Sequence, residues 1–234
     1  MLAMISTHRT SLLCRSRLLN SIMSASRTSC WNCGSETQPS DLFCRTNTCN
    51  AVQSIKLKDI DAFSIFGVES TYNINAKHLD TSFKQIQMQL HPDKFATKSF
   101  IEKKASSESS AAINQAYQIL KSPMSRAGYL LQKTFGIDFD ETKSYEDDKL
   151  MIEVFTIREE IEDAKGTNEM EDLLRKLQHT VADLEVEFEE HMRTVLSQRQ
   201  NQQKKDAALH CAVRLRYFLK MIEELLDKMP HHYP

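Results

Sequence analysis

Cys30, Cys33, Cys44 and Cys49 form C-x2-C-x10-C-x4-C, in a stretch too short to enclose an apolar core of its own. Four thiolates suit a tetrahedral zinc ion, whose binding would supply about 10–16 kcal/mol of coupled folding energy. Gly34, directly after Cys33, permits the tight turn that lets backbone N–H groups face the sulfurs. Two other uses of these thiols stay open: a redox dithiol at Cys30-Trp31-Asn32-Cys33, and a site without metal. The redox use lacks a surrounding β-α-β pattern that would place a thiol at a helix start. A second group, His91-Pro92-Asp93, invites an acid–base reading. No Ser or Cys nucleophile stands near it in the pattern, and a convex turn offers no pocket. None of the five glycines forms a phosphate-cradling loop, so the chain is not expected to hydrolyse nucleotides or to be an enzyme.

The elements that must position these groups are helical. A short helix over Asp61–Phe66 is stopped by Gly67, and a second runs from Asn75 as cap to Leu90, with Leu79, Phe83, Ile86 and Leu90 on one face. Ser99-Phe100-Ile101-Glu102 fits a capping box that opens a third, running to about Lys121. Its inward positions Ala105, Ala112 and Ala116 are small and face a Leu/Phe/Ile stripe, which predicts two closely opposed antiparallel helices. Pro92 ends the second helix, so His91 to Phe95 is expected as a polar loop at the hairpin tip. Ser122-Pro123 starts another helix that closes at Gly136.

Residues 141–229 contain no Pro and one Gly. Leu173, Leu177, Val181, Leu184, Phe188, Met192 and Val195 recur at helical spacing, as do Ala208, Cys211, Leu215, Phe218, Ile222, Leu225 and Met229. With a first helix from about Tyr145 to Ala164, capped behind by Gly166, and a polar turn from Ser197 to Gln203, they predict an antiparallel three-helix bundle. Leu150, Met151, Ile152, Val154, Phe155, Ile157 and Ile161 cover more of that first helix than one buried stripe requires, so part of the surface is expected to stay exposed for a partner. The competing use of Ile152 and Phe155 is filler against the preceding helices. Cys211 lies on an apolar stripe, where a buried inert thiol is expected.

Charge is distributed unevenly along the 234 residues. Residues 1–29 hold Arg9, Arg15, Arg17 and Arg27 with no acid, giving +4, residues 30–140 sum to +1, and residues 141–229 to −7. An acidic bundle gives no cationic face for duplex binding, so nucleic acid is not an expected partner. Apolar runs of four or five residues are far too short for a membrane span. The Arg- and Ser-rich, acid-free start, with Leu12, Leu13, Leu18, Leu19 and Ile22, has the makeup of a mitochondrial presequence, although a basic cytosolic tail is the alternative. A matrix or cytosolic location keeps thiols reduced and favours metal over disulfides.

The run Leu79 to Leu90, then His91-Pro92-Asp93-Lys94-Phe95, then Ile113-Asn114-Gln115-Ala116-Tyr117-Gln118-Ile119-Leu120 resembles the J-domain proteins. Lys121-Ser122-Pro123-Met124-Ser125-Arg126-Ala127-Gly128-Tyr129-Leu130-Leu131 is similar to the version in mitochondrial iron–sulfur cluster co-chaperones of the HscB/Jac type, and the resemblance extends from about Cys30 to Met229. It implies an all-α fold in four parts: a presequence over 1–29, a tetracysteine zinc module over 30–52, a J-domain over 59–136 and the bundle over 141–229. It further implies stimulation of a DnaK-type chaperone of the heat shock protein 70 class, and delivery to it of the iron–sulfur cluster scaffold protein. His91, Pro92, Asp93, Lys94 and Lys84 would meet the chaperone, with Lys77 and Lys98 helping to steer the encounter. Met151, Ile152, Phe155, Glu159 and Tyr217 would meet the scaffold. Thr156 and Phe155 stand where the family often has an acid or Leu, which puts individual roles on that surface in question. The expected location is the mitochondrial matrix, with a cytosolic pool and a homodimer both left open. The rival reading is a zinc-containing structural adaptor whose J-like hairpin is inactive.

Overall fold

The computed structural model describes residues 28–140, 147–195 and 202–229. The basic segment read as a presequence lies outside them, except for Thr28 and Ser29. Those two form strand β1, paired antiparallel with β2 (Glu36–Thr37) in the register Thr28 to Thr37 and Ser29 to Glu36. Backbone pairing thus extends to Thr28 and Ser29, two residues before Cys30. The reason is non-local: Thr28 is held by the Thr37 backbone and hydroxyl, partners nine residues away.

A 3-10 turn at Leu57–Asp59 leads into α1 (Ala62–Phe66), α2 (Ala76–Gln89), α3 (Pro92–Phe95), α4 (Phe100–Lys121) and α5 (Pro123–Phe135). Local chemistry sets the ends. Asn75 accepts from the His78 amide at the start of α2, and Gly67 and Gly136 close α1 and α5 with φ of +64° and +70°. At α4 both halves of the capping box form: Ser99 Oγ accepts from the Glu102 amide, and the Glu102 carboxylate accepts from the Ser99 amide. Ser99→Ala is expected to lower stability by about 1 kcal/mol, read as a shifted urea midpoint at constant slope.

Antiparallel pairing of α2 with α4 follows from its cross-links. Asp80 accepts from Tyr117, Gln87 meets Ser110 and Asn114, and the Leu90 carbonyl accepts from Ser106, so rising numbers on one helix meet falling numbers on the other. Phe83 stacks on Tyr117 with ring centroids 4.0 Å apart. Buried Ala105, Ala112 and Ala116 let the helices close, as their size predicts.

The remaining helices are α6 (Asp148–Asp163), α7 (Thr167–Val195) and α8 (Gln202–Lys228). Asp147–His210, Glu153–Arg214, Arg158–Glu224 and Ile161–Lys228 contacts ascend together, so α6 and α8 run parallel, with α7 returning between them as an up-down-up bundle requires. Three sequence expectations need correction. Gly166 does not cap α6: Ala164 ends that helix in extended geometry, and the Gly166 carbonyl instead accepts from the Met170 amide at the start of α7. Gln202 and Gln203 belong to α8 rather than to the turn before it, because they continue its hydrogen-bonded spiral; Ser197 to Asn201 lie outside the described residues, as do Tyr145 and Glu146. Pro92–Phe95 is a helical turn rather than a loop.

Hairpin and bundle share one continuous core, running from Val52 through Phe63, Leu79 and Ile113 to Phe188, Phe218 and Leu225. At their junction Tyr72 is buried edge-on to Phe188, with ring centroids 5.0 Å apart. Its amide donates to Glu189 Oε2 at 2.6 Å, the Asn73 amide reaches the same oxygen at 3.2 Å, and its hydroxyl donates to Glu185 at 3.1 Å. Burial pushes the Tyr72 phenol far up, and the Glu185 charge adds to the effect. No helix among the described residues is long and apolar enough to cross a membrane.

Candidate functional site

The hairpin tip is built by proline chemistry. Pro92 cannot continue α2, but its fixed φ suits the first position of a new helical turn. His91 serves as that turn's cap, its Nδ1 accepting from the Asp93 amide at 3.3 Å. Phe95 is buried beneath the turn and pins it to the core, while His91, Pro92, Asp93 and Lys94 stay on the surface. The Asp93 side chain is 90% exposed and lies 3.5 Å from His91 Nδ1. Lys77, Lys84 and Lys98 are exposed as well. Lys77, Lys84 and Met88 fall at helical spacing along one outer face of α2 leading to His91, and Met88 is 67% exposed. A cationic stripe with one apolar contact thus runs into a turn bearing a single solvated carboxylate. That arrangement can dock a charged surface, but it encloses no substrate.

The second surface is on α6. Leu150, Val154, Ile157 and Ile161 face the core, whereas Ile152 and Phe155 are 67% and 58% exposed. Glu159 is exposed, and Met151 and Tyr217 are half-buried. The parallel register of α6 and α8 puts Tyr217 between the levels of the Glu153–Arg214 and Arg158–Glu224 contacts. The excess apolar width read from the sequence is therefore open surface, and the filler reading of Ile152 and Phe155 does not hold. At the start of α6, the Leu150 amide and then His210 hold the Asp147 carboxyl below the usual carboxylate range. A depressed carboxylate adds stability above its unfolded pKa. That contribution is lost as pH falls through the lowered folded value.

The third group is the tetracysteine cluster. Cys30 and Cys33 lie on either side of the turn joining β1 and β2, where Gly34 has φ +73° and donates its amide to the Cys30 carbonyl. Cys44 and Cys49 sit on a second turn, closed by the Phe43–Val52 bridge and by Asn50 at φ +44°. That closure explains how a four-residue spacer still brings two sulfurs together. Sulfur separations are 3.8 Å for Cys30–Cys49 and 3.6 Å for Cys33–Cys44, and all four sulfurs lie within 4.8 Å of one another. A tetrahedral zinc with Zn–S bonds of about 2.3 Å requires sulfurs about 3.8 Å apart. The residues fit a metal ion. Ser35, through its hydroxyl and then its amide, draws the Cys33 thiol down to about 6, which favours the ligating thiolate. Cys211 is buried under α7, and burial pushes its thiol up to about 12, as an inert core thiol requires.

Several functional neighbours carried no sequence signal. Gln53 Nε2 reaches Cys30 Sγ and Asn32 Nδ2 reaches Cys49 Sγ, each at 3.3 Å. Neither residue type at that position marks a sulfur partner. A cleft of about 660 Å³ between the Tyr72–Asn73 segment, α5 and α7 contains Arg126, Glu185, Glu189 and Arg193. Its Glu189 is already engaged by two backbone amides and Arg193, so this carboxylate fastens the junction.

The family model described as the HSCB C-terminal oligomerisation domain matches residues 146–226, the part of the chain that holds α6 to α8. The chain is 31% identical over 206 residues to an Arabidopsis thaliana iron-sulfur cluster co-chaperone protein HscB homolog, covering 88% of this chain and 76% of that relative. It is 30% identical over 222 residues to the Mus musculus iron-sulfur cluster co-chaperone protein HscB, covering 92% and 90%. Among solved structures, the crystal structure of human co-chaperone protein HscB superposes with a TM-score of 0.70 at 27% identity, covering 87% of this chain and all of that one.

Proposed function

The chain belongs to the HscB family of iron–sulfur cluster co-chaperones, and from that premise we propose that it stimulates ATP hydrolysis by a DnaK-type chaperone of the heat shock protein 70 class and delivers the cluster scaffold protein to it. The observation that carries this reading is the pairing of two separate open surfaces on one continuous core: the His91–Lys94 turn, and the apolar face of α6. Asp93 would pair with a cationic group of the chaperone, and Lys77, Lys84, Lys94 and Lys98 would steer the approach. A turn plus one helix face makes a small interface, about 1,200 Å² or less, which suits a partner that must be released each cycle. Ile152 and Phe155, with Met151, Glu159 and Tyr217 around them, would hold the scaffold. The decisive experiment is a single-turnover ATPase assay with the purified chaperone, with and without scaffold. Stimulation by this chain that increases further with scaffold is expected. No stimulation would leave the structural adaptor as the working description.

Cys30, Cys33, Cys44 and Cys49 would hold a zinc ion, whose part would be structural, cross-linking the two turns. The site of action would be the mitochondrial matrix. Removal of residues 1–27, which spares β1, is expected to leave the protein in the cytosol by imaging, and unchanged import would count against an N-terminal address.

A further inference from the structure

The segment joining the cysteine module to the helices makes contacts at both ends. Gln53, 8% exposed, donates from Nε2 to Cys30 Sγ at 3.3 Å and to the Ala51 carbonyl at 2.7 Å. The backbone carbonyl of the same residue accepts from Ser109 Oγ at 2.7 Å, and the Ile55 amide donates to Ser109 Oγ at 2.9 Å. Ser109 is fully buried in the middle of α4. Nearly one turn earlier on that helix, Ser106 donates at 3.1 Å to the carbonyl of Leu90, the residue that ends α2 just before His91.

We propose that Gln53 and Ser109 link the four-cysteine site to the helical hairpin, so that metal binding stabilises α4 and the turn it supports. The inference rests on the reading of the cysteines as a metal site. Four thiolates around a divalent cation leave a net charge of −2, and a sulfur as buried as Cys30 needs N–H donors to hold that charge away from water. Gln53 supplies such a donor only while residues 51–55 keep the path that Ser109 fixes from both sides. Binding at one end and order at the other therefore favour each other, and this coupling is reciprocal.

The test uses the full chain under reductant, with zinc itself as the probe. Gln53→Leu, which removes the donor but keeps an apolar fit, is expected to weaken zinc affinity about 10–100-fold, read by competition with a chromogenic chelator. Stripping zinc from the wild type is expected to reduce hydrogen-exchange protection of amides near Ser106 to Ile113, and Ser109→Ala is expected to abolish that zinc dependence. Ser54→Ala, whose exposed hydroxyl meets only the Glu108 side chain, should change neither readout. Wild-type zinc affinity in Gln53→Leu, or α4 protection indifferent to zinc in the wild type, would overturn the link while leaving the metal site standing. The second measurement needs no variant, so misfolding of a mutant does not decide the matter. A full chain that takes up no zinc would remove the metal reading, and the link with it.

Discussion

Asp93→Asn is expected to reduce ATPase stimulation of the chaperone to its basal rate, while moving the stability of the co-chaperone by no more than about 0.5 kcal/mol. Asparagine keeps the shape and loses the charge. The Asp93 side chain adds little to the fold: it is 90% exposed with a surface contact to His91, and the turn is capped through the Asp93 backbone amide and pinned by Phe95. Across an interface the balance changes, since removing one member of a desolvated charge pair costs about 2–5 kcal/mol, or about 30-fold and upward in affinity. Titrating wild type and variant against the purified chaperone, with a thermal melt of each, separates the two contributions. Full stimulation by the variant would sink the assignment of the turn.

The second large effect is expected on the exposed face of α6. Phe155→Ala combined with Met151→Ala should weaken scaffold binding by about 2 kcal/mol or more, roughly 30-fold, because aromatic and Met side chains are enriched at the cores of such contacts and a few central side chains carry most of the binding energy. Stimulation of the chaperone in the scaffold's absence should not change. The helix should survive as well, since Leu150, Val154, Ile157 and Ile161 anchor it and Phe155 contributes little to the core. Calorimetry against the scaffold measures the loss. Unchanged affinity together with a much lower melting temperature would place these side chains in the fold instead.

Features set within a few residues were legible in the sequence. Asn75, the Ser99–Glu102 box, Ser122-Pro123 and the left-handed Gly67 and Gly136 give helix ends almost where local chemistry puts them. The cysteine spacing also brings four sulfurs together as expected. At Pro92 the same residue that stops one helix opens a single turn of the next, and the local pattern of a loop at His91 to Phe95 captures only the first half of that dual role. The remaining surprises depend on partners far along the chain. Glu189 holds Tyr72 across 117 positions, and Ser109 holds Gln53 across 56, so no local pattern announces either. A buried glutamate on an otherwise apolar seam is visible only once the segment that fills its hydrogen bonds is in place.

The Tyr72–Glu189 clasp bears on how a load is presented. Two lobes joined by a loose tether would let the passenger sample every bearing relative to the motor, and each productive meeting would wait on chance alignment. Here aromatic packing and a carboxylate held by two backbone amides and Arg193 restrict that freedom, so the His91–Lys94 turn and the exposed face of α6 take one relative bearing when the chain folds. A passenger seated on α6 would then arrive already aimed, and the search for the correct orientation would not have to be repeated at each delivery.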